Sequence, residues 1–137
     1  MSTTPSQTVG PFYAIGLCRR PDEELAADGV ELTGRLYDGE GNPIGDGVLE
    51  IFDAATRGWG RSGTDAEGRF RFLVPRDATR LEAFVFARGL LRHQLTRIYL
   101  DGGAAAEDET LVAERDGDGF RFDIHMQGDR ATLFFAH

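Results

Sequence analysis

The sequence contains no lysine; all 15 basic residues are arginine, set against 23 acidic residues for a net charge of −8. A protein that neutralises a nucleic-acid backbone needs a cationic surplus on one face, so this balance excludes nucleic acid as the main partner. Cys18 is the only cysteine, which rules out an internal disulfide and a thiolate metal cluster and argues against cysteine redox chemistry. No apolar run approaches the roughly 18 residues of a membrane span, and the start of the chain lacks a basic segment followed by an apolar stretch. No membrane partner and a cytoplasmic location are therefore expected. HExxH, GxSxG and a glycine-rich loop opening a helix are also missing.

What is present suits one compact domain: 137 residues, 41% hydrophobic and 28% charged. Thr4 to Tyr13 (TPSQTVGPFY) is neither strand-like nor helix-like. Pro5 and Pro11 force extended backbone, Gly10 permits a bend, and Phe12 and Tyr13 follow with large apolar surface. Such an arm docks into a groove, either on another chain or as a cover for its own core. Pro21 to Ala27 predicts one or two helical turns at most.

The rest reads as strands: Val30 to Tyr37, Val48 to Ala54, Arg69 to Val74, Leu81 to Ala87, Thr96 to Leu100, Phe120 to Gln127 and Thr132 to Phe135. Seven short strands with turn residues between them predict an all-β chain, a single-domain β-sandwich or barrel. The predicted boundaries are an arm with a short helix over 1–29 and a sandwich over 30–137. Asp38 to Pro43 and Asp65 to Gly68 are turns, the second a hairpin into RFRF, whose Phe70 and Phe72 face the core while Arg69 and Arg71 face out. Asp101 to Glu114 predicts a helical turn outside the sandwich. The expected core comprises Leu32, Leu36, Val48, Ile51, Phe70, Phe72, Phe84, Phe86, Ile98, Phe122, Ile124 and Phe134, with the ten Phe accounted for by packing.

Candidate chemistry is sparse. The histidines are His93, His125 and the terminal His137; Asp123 and His125 share a strand face and predict an ion pair before a shared metal. Arg88, Arg92 and Arg97 follow the strand Leu81 to Ala87, either as solvated charge or as an anion contact at a strand end.

Three blocks, TPSQTVGPFYAIGL (4–17), VFARGLLRHQLTRIYLDG (85–102) and FRFDIHMQGDRATLFF (120–135), resemble the alpha subunits of protocatechuate 3,4-dioxygenases, a branch of the intradiol ring-cleaving dioxygenases. LTGRLYDGEGNPIGDGVLEIFDA and GTDAEGRFRF are similar to sandwich strands of the same family, so the resemblance spans nearly the whole chain. It implies αβ protomers in a higher oligomer, in which a homologous beta subunit holds Fe(III) through two Tyr and two His. That enzyme cleaves protocatechuate (3,4-dihydroxybenzoate), a small aromatic acid, with O2 to 3-carboxy-cis,cis-muconate. In iron-binding chains the ligands lie after the second strand, after the FRF-type strand and in a PAHIH-type strand. Here Arg57-Gly-Trp-Gly60, Val74-Pro-Arg-Asp77 and Leu81-Glu-Ala-Phe84 stand in those places, so the resemblance implies no metal bound by this chain and no catalytic residue in it alone. It further implies that Thr8, Pro11, Phe12 and Arg88 form a wall of the partner's substrate pocket. One departure is Phe12, where Tyr usually follows the Gly-Pro pair; the lost hydroxyl removes a hydrogen bond worth about 1 kcal/mol. A non-enzymatic β-sandwich binding or interaction module is the alternative.

Overall fold

The computed structural model describes residues 20–87, 93–100, 106–128 and 131–135. The arm's Thr8, Pro11 and Phe12, and Arg88 and Arg92, lie outside them.

Among the described residues nine strands form two sheets: β1 (Val30–Tyr37), β2 (Val48–Asp53), β3 (Gly58–Gly63), β4 (Arg69–Val74), β5 (Arg80–Phe86), β6 (Gln94–Tyr99), β7 (Glu114–Asp116), β8 (Gly119–Arg121) and β9 (Ile124–His125). One sheet runs β4-β1-β8-β7, with β9 also on β1; the other runs β3-β2-β5-β6. The chain is an all-β sandwich, and its helix among the described residues is limited to two 3-10 turns, Arg20–Glu23 and Glu109–Leu111. Asp108 caps the second, its side chain accepting from the Thr110 N–H at 2.8 Å.

Alternation builds the core. In β1 the residues Val30, Leu32, Gly34 and Leu36 face inward, and in β4 Phe70, Phe72 and Val74 do. Opposite them lie Leu49, Ile51, Leu81, Ala83, Val85 and Ile98 of the second sheet, all at 0% exposure.

β8 and β9 continue one parallel register along β1, pairing Leu32 with Phe120 and Leu36 with Ile124. Between them the Asp123 side chain takes over the ladder, its Oδ1 accepting from Arg35 N–H at 3.0 Å, while Phe122 N–H donates to Thr33 carbonyl at 2.8 Å. Gly34 makes this approach possible: a Cβ there would lie 1.8 Å from the Phe122 carbonyl oxygen.

Several expectations are corrected. Phe120 to Gln127 is two short strands rather than one, because Asp123 substitutes for backbone pairing at the break. Thr132 to Phe135 makes a single bridge, Leu95 to Phe135, instead of a strand. β3 and β7 were not expected, bringing the strands among the described residues from seven to nine. The turn Asp65 to Gly68 exists, with Gly68 at φ 76° and Asp65 Oδ1 accepting from the amides of Glu67 and Arg69, but it carries the chain from one sheet to the other instead of closing a paired hairpin. Phe84 and Phe86 lie half-buried on the outer face of β5, since Leu81, Ala83 and Val85 take the inward positions. Packing of the core therefore does not account for every Phe.

Candidate functional site

Of the three arginines that follow the strand Leu81 to Ala87, Arg97 stands on the outer face of the β3-β2-β5-β6 sheet. Register places Trp59, Phe52, Glu82 and Arg97 across it in one row and Arg61, Glu50, Phe84 and Leu95 in the next. Trp59 is 43% exposed, the largest apolar side chain left open among the described residues. The Arg61 guanidinium lies 4.9 Å from the Trp59 ring and donates to Glu50 Oε1 from Nε (2.9 Å) and Nη2 (2.6 Å).

At the β6 edge Arg97 closes a second cluster. It donates from Nε to Glu82 Oε2 at 3.3 Å and from Nη1 to Glu107 Oε1 at 2.5 Å, and its Cζ sits 4.5 Å over the Phe135 ring. Tyr99 hydroxyl donates to Glu107 Oε2 at 2.8 Å, and Arg80 reaches Glu82 at 3.7 Å. The Glu107 carboxyl is held below its ordinary range, first by its own backbone N–H and then by Tyr99 and Arg97. Burial works against the charge on Arg97, but Glu82, Glu107 and Tyr99 outweigh it and its pKa rises. Arg97 is thus an internal clamp and not a solvated charge.

Toward the far end of β5, Phe84 and Phe86 bracket His93, ring centroids 5.2 and 5.3 Å away. The segment holding Arg88 connects Ala87 to His93, so the antiparallel pairing of Val85 with Gln94 sets both of its ends at this aromatic cluster.

The family's iron fits none of the three places named for it. After β2, Asp53 closes a tight turn, its Oδ1 accepting from Ala55 N–H at 3.1 Å and its Oδ2 from Thr56 hydroxyl at 3.0 Å, and Arg57 takes φ 60°. After β4, Ala78 N–H closes a turn onto Pro75 carbonyl at 3.1 Å. On β5 the outward residues are Arg80, Glu82, Phe84 and Phe86. None of these side chains is a phenol or an imidazole; the Asp53 carboxylate is engaged within its own turn, and Glu82 is shared between two guanidiniums.

Asp123 and His125 do not pair with each other among the described residues. Asp123 accepts from Arg35 N–H and from Arg121 Nη2 at 3.3 Å, and His125 stacks on Tyr37 with centroids 4.9 Å apart. Their groups are drawn to different neighbours on β1 and β8. The described residues contain no group of three or more His, Cys, Asp or Glu placed to hold a metal. No described helix is long and apolar enough to cross a membrane.

Sequence reasoning missed a groove of about 850 Å³ on the opposite sheet, where Arg35, Arg69, Arg71 and Arg121 gather. Outward alternation marked Arg69 and Arg71, but only the parallel pairing of β1 with β8 brings Arg121 beside them.

No family model matches the chain. It is 33% identical to a protocatechuate 3,4-dioxygenase alpha chain of Burkholderia cepacia, over an alignment of 192 positions covering 98% of each protein. A second protocatechuate 3,4-dioxygenase alpha chain, from Pseudomonas putida, is 29% identical, with 96% of this chain and 95% of that one covered. Since this chain has only 137 residues, at least 55 of the 192 positions (192 less 137) are gaps in it. Among solved structures, the dioxygenase domain of a dioxygenase carbohydrate-binding fusion from Streptomyces sp. SirexAA-E superposes with a TM-score of 0.58 at 20% identity, covering 91% of this chain and 99% of that one; this likeness establishes the fold.

Proposed function

The chain belongs to the family of protocatechuate 3,4-dioxygenase alpha chains, within the intradiol ring-cleaving dioxygenases, and from that premise we propose that it is the non-metal-binding subunit of such an enzyme. In this reading a homologous beta subunit holds Fe(III) and cleaves protocatechuate or a close relative to the carboxymuconate, and αβ protomers assemble further. This chain supplies part of the pocket wall and the surface that seals it against water.

The observation that carries the reading is the outer face of β5. Where the resemblance sets imidazole ligands in the iron-binding chains, Glu82 is tied between Arg80 and Arg97, and aromatic side chains cover the remainder. Such a surface has no free donor set for a ferric ion, yet it presents Phe52, Phe84 and Trp59 half-buried or exposed in adjacent register positions. Aromatic side chains left open beside neutralised ion pairs make a surface suited to another protein chain.

Thr8, Pro11, Phe12 and Arg88 are proposed as the residues this chain lends to the partner's pocket, with Arg88 holding a carboxylate of the substrate or the partner through a planar fork. The arm over 1–29 and the sandwich over 30–137 then divide the work: the arm reaches, the sandwich packs.

Co-expression with an iron-binding homologous chain, followed by removal of residues 1–13, tests this. Full-length protein should co-purify with the partner and give protocatechuate cleavage. The truncated chain should keep its thermal transition but lose association. Co-purification with no such partner, and no cleavage in its presence, would favour the stand-alone module.

A further inference from the structure

The outer face of the β4-β1-β8 sheet carries arginines in an arrangement that the fold does not explain. Arg71 and Arg121 both oppose Thr33, one from each side, and Arg35 follows two residues along the same face of β1. Arg35 in turn lies directly opposite Arg69. Like charges placed opposite each other on a sheet face are destabilising.

Three of the four guanidiniums are neutralised locally. Arg71 pairs with Glu31 at 3.0 Å and Glu23 at 3.6 Å, Arg121 with Asp123 at 3.3 Å, and Arg69 with Asp65 at 2.9 Å and with Glu67. Among the described residues the guanidinium of Arg35, a half-buried residue, has no ionic or hydrogen-bonding partner; only the backbone N–H is engaged. It borders the groove of about 850 Å³, which Ser62 and Thr64 close on the β3 side. That volume falls in the range of small-molecule sites.

We propose that this groove binds a small organic monocarboxylate in the fork of Arg35, with the Thr33 hydroxyl as a further donor. One unmatched guanidinium suits one planar monoanion, held by charge-assisted hydrogen bonds. Because Glu23 and Asp65 already pair with Arg71 and Arg69, only one uncompensated positive charge faces the ligand, fewer than a phosphate dianion carries negative ones. The room beyond Arg35 exceeds what a bare inorganic ion fills, and the arginine stems offer apolar contact. This site is on the sheet opposite the aromatic face and stands independently of the subunit role.

The test is titration of the 15N-labelled full chain, in whatever assembly it purifies, with benzoate, butyrate and inorganic phosphate. Saturable shifts at the amides of Thr33, Arg35 and Arg121 are expected with at least one carboxylate and not with phosphate. Arg35→Gln should weaken that binding at least about tenfold, while Arg76→Gln, which alters the exposed pair with Asp118, leaves it unchanged. Because Arg35 opposes Arg69, the Arg35→Gln melting temperature should be equal or higher. The proposal is overturned by the absence of saturable shifts with either carboxylate, by phosphate binding as tightly, by an Arg35→Gln variant that binds like the parent, or by one that melts several degrees lower and so reveals a structural role.

Discussion

Replacing Trp59 by Ala tests whether the aromatic face of the four-stranded sheet is a contact surface. A tryptophan can bury up to about 250 Å², and 43% of Trp59 remains open in the isolated chain. Covering that remainder removes roughly 105 Å² from water, worth about 2.6 kcal/mol at ~25 cal/mol per Å². Complete burial in an interface thus corresponds to about an 80-fold effect on the dissociation constant as an upper value. Within the chain the substitution loses packing against Phe52 and the stacking of Arg61, but Arg61 keeps its two hydrogen bonds to Glu50, so the fold is retained at somewhat lower stability. Leu133→Ala is the control: Leu133 is 38% exposed, and its segment runs along the outer edge of β6, bridging Leu95 through Phe135 and accepting from Thr96 hydroxyl at the Leu133 carbonyl. Isothermal titration of each variant into the proposed iron-binding partner, with a melting curve for each, reads association apart from folding. A Trp59→Ala affinity equal to the parent's, or a Leu133→Ala loss as large, would refute the assignment of this face.

Arg88→Ala in the assembled enzyme should lower kcat/KM or assembly by about tenfold to a hundredfold and Arg88→Lys should recover part of that, whereas Arg92→Ala stays near the parent value; equal behaviour of the Arg88 and Arg92 variants in steady-state assays would show Arg88 to be surface charge. Gly34→Ala drives a methyl into the Phe122 carbonyl and should destabilise the chain by about 1–3 kcal/mol or more, seen as a lower urea midpoint; an unchanged midpoint would mean that β8 need not pass so close. The carboxyls of Asp65, Glu107 and Asp108 have lowered pKa values in the folded state, so their contribution is complete above the ordinary values of 3.8 to 4.5 and is lost as pH falls through the folded ones. Melting temperature should accordingly show no dependence on these groups from pH 6 to 8 and fall below about pH 4.5, and a fall confined to the neutral range would contradict this.

Much of the sandwich was legible because its strands obey period-two alternation. β1 and β4 were read to the residue, and the outward arginines of RFRF lie where their spacing puts them. β3 was not legible: GWGRSG has three glycines and a single large apolar residue, and it is a strand because β2 offers it a full set of backbone partners from Val48 to Asp53. Phe84 and Phe86 misled for a different reason. Hydrophobicity suggested the core, but the phase of β5 is fixed by Leu81, Ala83 and Val85, and a one-residue shift would turn all of them out. The arginine groove depends on pairing between residues 88 apart in sequence, Thr33 with Arg121, which no local pattern encodes. The residues that the resemblance singled out, Thr8, Pro11, Phe12 and Arg88, lie outside the described structure, so their roles rest on that likeness and on the experiments above.

The proposed subunit role requires that the chain hold no iron and cleave no ring by itself. Iron per polypeptide, measured by mass spectrometry of the separately purified chain together with its visible spectrum and O2 uptake with protocatechuate, tests this directly. Less than about one tenth of an iron per chain, no tyrosinate-to-iron absorption and no uptake are expected, with all three appearing on assembly with an iron-binding partner. Near-stoichiometric iron with a brick-red colour in the chain alone would contradict the account.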